Sequence, residues 1–334
     1  MSQLNNPKYD GTIHPEEWVK QIQLSFYDTH NKITKNEQEI VNYCKLLIHP
    51  SIKILPETNS FIGLINDLKS DISYDVFKNS VKNKLQFNYN ISTDENETLK
   101  FLNQFQQLLY EGEITEIGEQ KKLFLDSLPK ESIQYIFINH NFDKINSIEE
   151  LFNHFYESFT EESKSINDGS HIALKHVTTG KYLSSKTNNM VFAGPTILDI
   201  NSVWRVLKIK QETIRSNRPK ASSTVLYGDL FYLINHKNGN YLHVSTKNEK
   251  SPATEYVKVS CATSGKWHCI STNSENPPYV RSKDTINLLS NQVVLRSHGF
   301  TFTRGDETYQ EVAGHKEEIC GNDEWCIEII TQQK

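Results

Sequence analysis

Apolar residues recur at helical spacing along the first half of this chain and alternate along the second. His14-Pro15-Glu16-Glu17 opens the first predicted helix. Proline needs no amide partner at the first helical position, and the acids suit the positive end of the helix dipole. Trp18, Ile22 and Phe26 then form one stripe. Thr34-Lys35-Asn36-Glu37 has the spacing of a capping box before Ile40, Val41, Cys44, Leu47 and Ile48. Pro50 and Pro56 bracket a break, Phe61, Leu64, Ile65 and Leu68 fit a short helix, and Ser73 is the expected cap of a helix burying Phe77, Val81 and Leu85. After the polar stretch 88–93, Phe101, Phe105 and Leu108 mark a further helix. A second runs from Ile117 to Leu128 and ends at Pro129, and a third is short, near Ile133–Ile138. The last is announced by Ser147-Ile148-Glu149-Glu150 and carries Leu151, Phe152, Phe155, Tyr156 and Phe159. The pattern predicts a flexible arm at 1–8, a two-lobed all-α domain at 9–163 (lobes 9–88 and 92–163) and a polar linker at 164–168.

From residue 169 the period changes to two, punctuated by glycine turns, and the sequence repeats itself. Ile172-Ala173-Leu174-Lys175-His176 leads through Gly180 to Tyr182-Leu183. Leu230 to His236 leads through Gly239 to Tyr241-Leu242. The third copy is read at Val293 to Gly299, leading to Phe300 and Phe302. Each copy then reaches a tryptophan, Trp204, Trp267 or Trp325, spaced by 63 and 58 positions. Three units of short strands, none able to bury its own apolar face, are expected to close a sheet around a pseudo-threefold axis and remove its open edges. On that reading the repeated Leu, Tyr and Trp residues are core. His176, His236 and His298 are expected at equivalent places, bonding a turn.

The 334 residues suffice for two or three domains, and the composition is globular. The net charge of −5 hides an asymmetry. Residues 1–166 hold 16 lysines, no arginine and 25 acids, a net of −9, whereas the remainder is at +4 and holds all the arginines. An acidic helical half disfavours nucleic acid as its partner. No stretch approaches the roughly 18 apolar residues of a membrane span, and the chain begins without the apolar core of a secretion signal. These features lead to the expectation of a cytoplasmic or nuclear protein that is not secreted, with its five cysteines as free thiols.

Gly169-Ser170-x-Ile172-x-Leu174-Lys175-His176-x-x-Thr179-Gly180-Lys181-Tyr182-Leu183 resembles the MIR domain found in protein mannosyltransferases, inositol trisphosphate receptors and ryanodine receptors. The second unit matches well. The third departs, with Gly299-Phe300-Thr301-Phe302 in place of Gly-Lys-Tyr-Leu. The resemblance implies an all-β β-trefoil at 169–331 with an interaction role and no catalysis of its own. Ricin-type trefoil lectins carry Gln-x-Trp, but here Ser202, Gly265 and Asp323 stand two residues before the tryptophans.

The helical half resembles the capsid region of Ty3/gypsy retrotransposon Gag proteins. Tyr9-Asp10-Gly11 followed by Trp18, Ser73-Tyr74-Asp75-x-Phe77 with Leu85-x-Phe87, and Lys122-Leu123-Phe124-Leu125-Asp126-Ser127-Leu128-Pro129 carry the likeness. It implies a unit able to self-associate. The zinc knuckle that such chains often carry is missing.

Candidate chemistry is sparse. Cys261, Cys269, Cys320 and Cys326 lack the paired spacing of a zinc site, so neither a metal nor a cofactor is expected. No nucleophile elbow, phosphate loop or dinucleotide fingerprint occurs, and no catalytic residue is assigned. One basic cluster stands out: Arg205, Lys208, Lys210, Arg215, Arg218 and Lys220. Arginine offers paired donors to phosphate or carboxylate, so Arg205, Lys208, Lys210, Arg215 and Arg218 are the candidate anion contacts. The sequence therefore reads as a non-catalytic intracellular binding or scaffold protein. Its helices would self-associate and its trefoil would recognise a protein or polar ligand. A glycan- or inositol-phosphate-binding receptor module is the alternative, and an accessory factor in protein glycosylation the second.

Overall fold

The computed structural model describes residues 6–27, 35–85, 89–91, 94–186, 189–209, 223–247 and 249–330. An all-α region precedes an all-β region, as the change of period requires. The chain divides into two compact units. One spans residues 1–129 with 146–149, and the other 130–145 with 150–334.

The first unit holds α1 (Pro15–Leu24), α2 (Glu37–Leu47), α3 (Phe61–Ser70), α4 (Ile72–Lys84), α5 (Glu95–Glu111) and α6 (Ile117–Asp126). Pro15 sits in the first turn of α1, and Trp18, Val19 and Ile22 are buried. Their core continues through Ile40, Val41 and Cys44 of α2 and Leu64 and Leu68 of α3. Two helix starts differ from expectation. The capping box of α2 lies two residues later than the Thr34 spacing indicated: the Glu39 amide donates to Asn36 Oδ1 (2.9 Å) and the Asn36 amide to Glu39 Oε2 (3.3 Å). Asp71, not Ser73, caps α4, accepting from the Ser73 amide at 2.9 Å. A carboxylate accepts two residues on as readily as a hydroxyl three residues on, so composition alone leaves the start ambiguous.

In the second unit α7 (Ile133–His140) and α8 (Ile148–Lys164) precede the strands. These helices, expected in the second helical lobe, group for the most part with the β region. Nor are residues 164–168 a loose connection. α8 runs through Lys164, Ser165 and Asn167 bridge to Arg281 and Thr224, and Ile166 is buried in the β core. Glu161 accepts from Tyr279 Oη (3.3 Å) and from Arg281 Nη1 (3.5 Å). The polarity of 160–168 reflects these hydrogen-bonded positions.

Among the described residues twelve strands come in three sets of four. They are β1 (His171–His176), β2 (Leu183–Ser185), β3 (Val191–Ala193), β4 (Trp204–Lys208); β5 (Phe231–Asn235), β6 (Tyr241–Val244), β7 (Val257–Ala262), β8 (Lys266–Ser271); and β9 (Thr285–Ser290), β10 (Val293–Arg304), β11 (Glu307–His315), β12 (Trp325–Ile329). The first and last strand of each set pair in a closed antiparallel ring, β1–β4–β5–β8–β9–β12–β1. The middle strands form three hairpins, β2–β3, β6–β7 and β10–β11, joined where β11 pairs with both β3 and β7. A six-stranded barrel capped by a hairpin triplet is a β-trefoil. Its core draws equivalent residues from each set: Ile172, Phe231 and Ile286; Leu174, Leu233 and Leu288; and the three tryptophans.

Candidate functional site

The repeated residues are used up by the fold. Each indole nitrogen donates to the carbonyl of a leucine in the second strand of its own set: Trp204 to Leu183 (2.8 Å), Trp267 to Leu242 (2.8 Å) and Trp325 to Leu295 (3.1 Å). All three tryptophans are fully buried. This pairing corrects the reading of the third unit. Its opening strand is β9, the counterpart of Leu183 is Leu295, and Phe300 and Phe302 lie further along β10, beyond the repeat positions.

The histidine equivalence is corrected too. Trp325 pairs with His176 and Trp204 with Asn235, so Asn235, not His236, matches His176. The His176 amide donates to the Lys181 carbonyl and the Asn235 amide to the Asn240 carbonyl, both at 2.8 Å. Register places Ser290 at the third such position, because His268, next to Trp267, pairs with Leu289. His298 instead lies in the β10 hairpin. The turn-bonding role does hold for His176. A carbonyl can only accept, so His176 Nε2 carries the proton donated to the Asn322 carbonyl (2.9 Å), and Nδ1 accepts from the Thr179 hydroxyl (2.9 Å). Asn235 Nδ2 donates to the equivalent carbonyl of Asn201 at 2.9 Å.

Of the basic cluster the structure describes Arg205 and Lys208, and it sets these two on opposite faces of one strand: Arg205 is exposed on the outer wall of β4, while Lys208 lies on its other face. The Lys208 ammonium is held by Asp229 (2.8 Å) and the Thr224 carbonyl (2.7 Å), so it is a structural tie and not a free anion contact. Lys210, Arg215, Arg218 and Lys220 lie outside the described residues.

The structure offers a different basic site, where the three hairpins converge. A cleft of about 480 Å³ is lined by Asn189, Met190 and Val191, by Lys250, Ser251 and Pro252, by Lys258 to Cys261 on β7, by Phe302, Thr303 and Arg304 on β10, and by Val312 on β11. Its three cations come from different parts of the chain. Lys258 forms an exposed pair with Glu249 at 2.9 Å, a solvent-screened contact that an incoming anion can exchange. Lys250 and Arg304 are exposed, and neither has a carboxylate within ion-pair distance among the described residues. Phe302 supplies a half-buried aromatic edge, packed on Met190, Phe192 and Tyr309.

A buried acid fixes the segment that carries Lys250. Glu311 accepts hydrogen bonds from the Ser251 hydroxyl, the Ala253 amide (2.7 Å) and the Thr254 hydroxyl (2.6 Å). Burial pushes its pKa up, but the bonds from Ser251, Thr254 and Ala253, with His298 nearby, outweigh this and hold the carboxyl below its ordinary value. The Glu311 charge is thereby spent inside, leaving cations at the mouth. A second buried acid organises the neighbouring edge of the third unit. Asp323 accepts from Arg296 Nε (2.8 Å), from His315 Nε2 (2.8 Å) and from the Cys320 amide (2.7 Å).

No sequence signal gathered Lys250, Lys258 and Arg304, because they belong to three different strands or loops. The atypical character of the third unit was the one available pointer, and Phe302 and Arg304 lie in it. Among the described residues no group of three His, Cys, Asp or Glu side chains is placed to hold a metal ion, and no helix is long and apolar enough to cross a membrane.

The architecture is thus that of a β-trefoil carried behind helices. No protein-family model matches the chain, and no curated protein matches it. Solved structures similar to it include the SDF2-like protein from Arabidopsis thaliana, 23% identical over 49% of this chain and 94% of that one, with a TM-score of 0.41. The Macrolepiota procera ricin B-like lectin in complex with lactose is 12% identical over 49% of this chain and 97% of that one, with a TM-score of 0.34. The S. cerevisiae protein O-mannosyltransferase Pmt1–Pmt2 complex bound to the sugar donor is 14% identical over 93% of this chain and 47% of that one, with a TM-score of 0.41. At these values the likenesses add nothing to what the strand pairing itself shows.

Proposed function

We propose that this chain is a non-catalytic binding protein whose trefoil takes a small polyanionic ligand, such as a phosphorylated polyol or an acidic glycan, in the cleft between its hairpins. The observation that supports the reading is the convergence of Lys250, Lys258 and Arg304 on one cleft, with Glu311, the buried acid that holds the segment carrying Lys250, already engaged. Cationic groups around a concave surface focus potential and attract anions, and Phe302 offers an apolar face to a ring. The resemblance of 169–331 to MIR domains, as interaction modules, agrees with it. Calorimetry with inositol phosphates, sulfated and neutral oligosaccharides and acidic peptides, on the parent and on Lys250→Glu with Arg304→Glu, tests it. Binding that weakens at least tenfold in the double variant, and also with rising salt, supports the cleft. No heat with any anionic ligand, or equal heat in both proteins, refutes it.

The helical unit carries the self-association role in this reading. Leu46 of α2, Ile62 of α3 and Ile72 and Val76 of α4 are 80%, 74%, 73% and 63% exposed, apolar surface that a second copy of the chain would cover on association. Light scattering over a concentration series tests this part. A strictly monomeric protein up to high micromolar concentration rules it out.

A further inference from the structure

We infer that the outer wall of the barrel carries a second anion site, formed by His171, Arg205 and His236, which takes a dianionic sulfate or phosphate group and takes up a proton as it does so. His171 on β1 and Arg205 on β4 are direct register partners, and opposed residues of an antiparallel pair have Cβ atoms about 4.5–5.5 Å apart. β5 lies on the other side of β4, with Arg205 opposite Ile234. His236 follows that strand, and its ring centroid is 4.9 Å from that of His171, edge-on at 84°. Three cationic or protonatable groups therefore share one patch.

The surroundings supply no compensating charge. Among the described residues, none of the three has a carboxylate within ion-pair distance. On β12 the acid is Glu328, held by Lys283 (2.8 Å) and the Tyr182 hydroxyl (2.9 Å). Ahead of β1, Asp168 accepts from the Lys208 amide (2.9 Å). On β4 and β5 the ammonium of Lys208 is paired with Asp229 (2.8 Å), and Lys237 beyond β5 donates to Asn201 Oδ1 (2.9 Å). Lys175, further along β1, lies over the Tyr182 ring. Burial, then His236 and Arg205, lower the His171 pKa from its ordinary value. A dianion between the three groups reverses the repulsion from His236 and Arg205 and stabilises the imidazolium. Each proton taken up makes affinity rise by up to about tenfold per pH unit as pH falls. The guanidinium also decides the sign of the ligand, since a fixed positive charge beside two imidazoles opposes a metal cation.

Sulfate is the suitable probe, because its charge is constant from pH 5 to 8. Histidine ring resonances of the full chain are followed by NMR across that range, with sulfate or with chloride at equal ionic strength. The expected result is an upward pKa shift of His171 in sulfate, accompanied by a sulfate-dependent change in the His236 ring resonances, retained in Lys250→Glu and lost in Arg205→Gln, with the rest of the spectrum unchanged. No sulfate-dependent shift in the parent, or a shift that survives Arg205→Gln, overturns the site. Saturable Zn²⁺ binding at the same two imidazoles, with sulfate ineffective, overturns the anion assignment. Because the reading is local to His171, failure here is separate from failure of the hairpin cleft.

Discussion

The Trp325 indole donates to the Leu295 carbonyl, as Trp204 does to Leu183 and Trp267 to Leu242. This one bond, repeated around the pseudo-threefold axis, staples the last strand of each set to its second strand. It makes the tryptophans structural in two separable ways, through volume and through the indole N–H.

Trp267→Ala should therefore destabilise the protein by about 3–5 kcal/mol, the range for a fully buried aromatic truncated in a core. Trp267→Phe keeps most of the apolar volume but orphans the Leu242 carbonyl, and is expected to cost about 1–3 kcal/mol beyond its packing defect. Urea denaturation of both variants separates the two contributions. An unchanged midpoint for the alanine variant would show that the residue is not core.

Two glycines are expected to fail for different reasons. Gly180 has φ +68°, and a Cβ there would meet only the Lys175 side chain at 3.9 Å, so Gly180→Val suffers from backbone strain in the left-handed region, about 1–2 kcal/mol, worse for a branched side chain. Gly265 has no such φ, but a Cβ there would collide with the Leu242 backbone. Gly265→Ala should be the more damaging of the two, although the added group is smaller. Thermal melts of both rank them.

Asp323→Asn breaks the network to Arg296 and His315, whose side chains are largely or fully buried. Removing one partner of a buried pair costs about 3–5 kcal/mol. The pH dependence has a definite sign. Burial raises the Asp323 pKa, but the bonds from Arg296 and the Cys320 amide, with His315 and Arg296 charge, bring it below the ordinary value. A carboxyl with a depressed folded pKa contributes stability that is full above its unfolded value near 3.9 and is lost as pH falls through the folded one. The stability gap between parent and variant should therefore be constant from pH 5 upward and narrow below about pH 4, as read by denaturation at a series of pH values.

Lys208→Met tests the reassignment of that lysine. With Asp229 and the Thr224 carbonyl losing their shared donor, stability should fall by about 1–3 kcal/mol, with ligand affinity at the hairpin cleft unchanged. Lost affinity in a variant of normal stability would return Lys208 to an anion site.

How much of this was legible differs between the halves. Helix positions followed from apolar spacing, and Trp18, Ile22, Leu64, Leu68 and Phe155 are buried where the stripes put them. The caps were less legible, because Asn36 and Asp71 compete with neighbouring Thr and Ser for the same job. The first two trefoil units were readable because each keeps a glycine at φ near +70° before Tyr-Leu. The third replaces that turn with Asn291-Gln292, both at positive φ, directly between β9 and β10. With no glycine to mark it, the sequence pattern places the third repeat one strand too late and puts Phe302 and His298 at repeat positions that the structure gives to other residues.

By itself the sequence determined the change from helix to strand, the threefold number of β units and the buried fate of the three tryptophans. These follow from local periodicity and from the need of each short strand set to cover an apolar face. Only the tertiary structure decided which cations meet. Lys250, Lys258 and Arg304 come together because β7 pairs with β11 and β11 with β10, and Arg205 parts from Lys208 because neighbours three apart on a strand face opposite sides. Chain proximity groups the cations of 205–220 in the sequence, whereas strand pairing, set by the closure of the barrel, is what brings Lys250, Lys258 and Arg304 to one cleft.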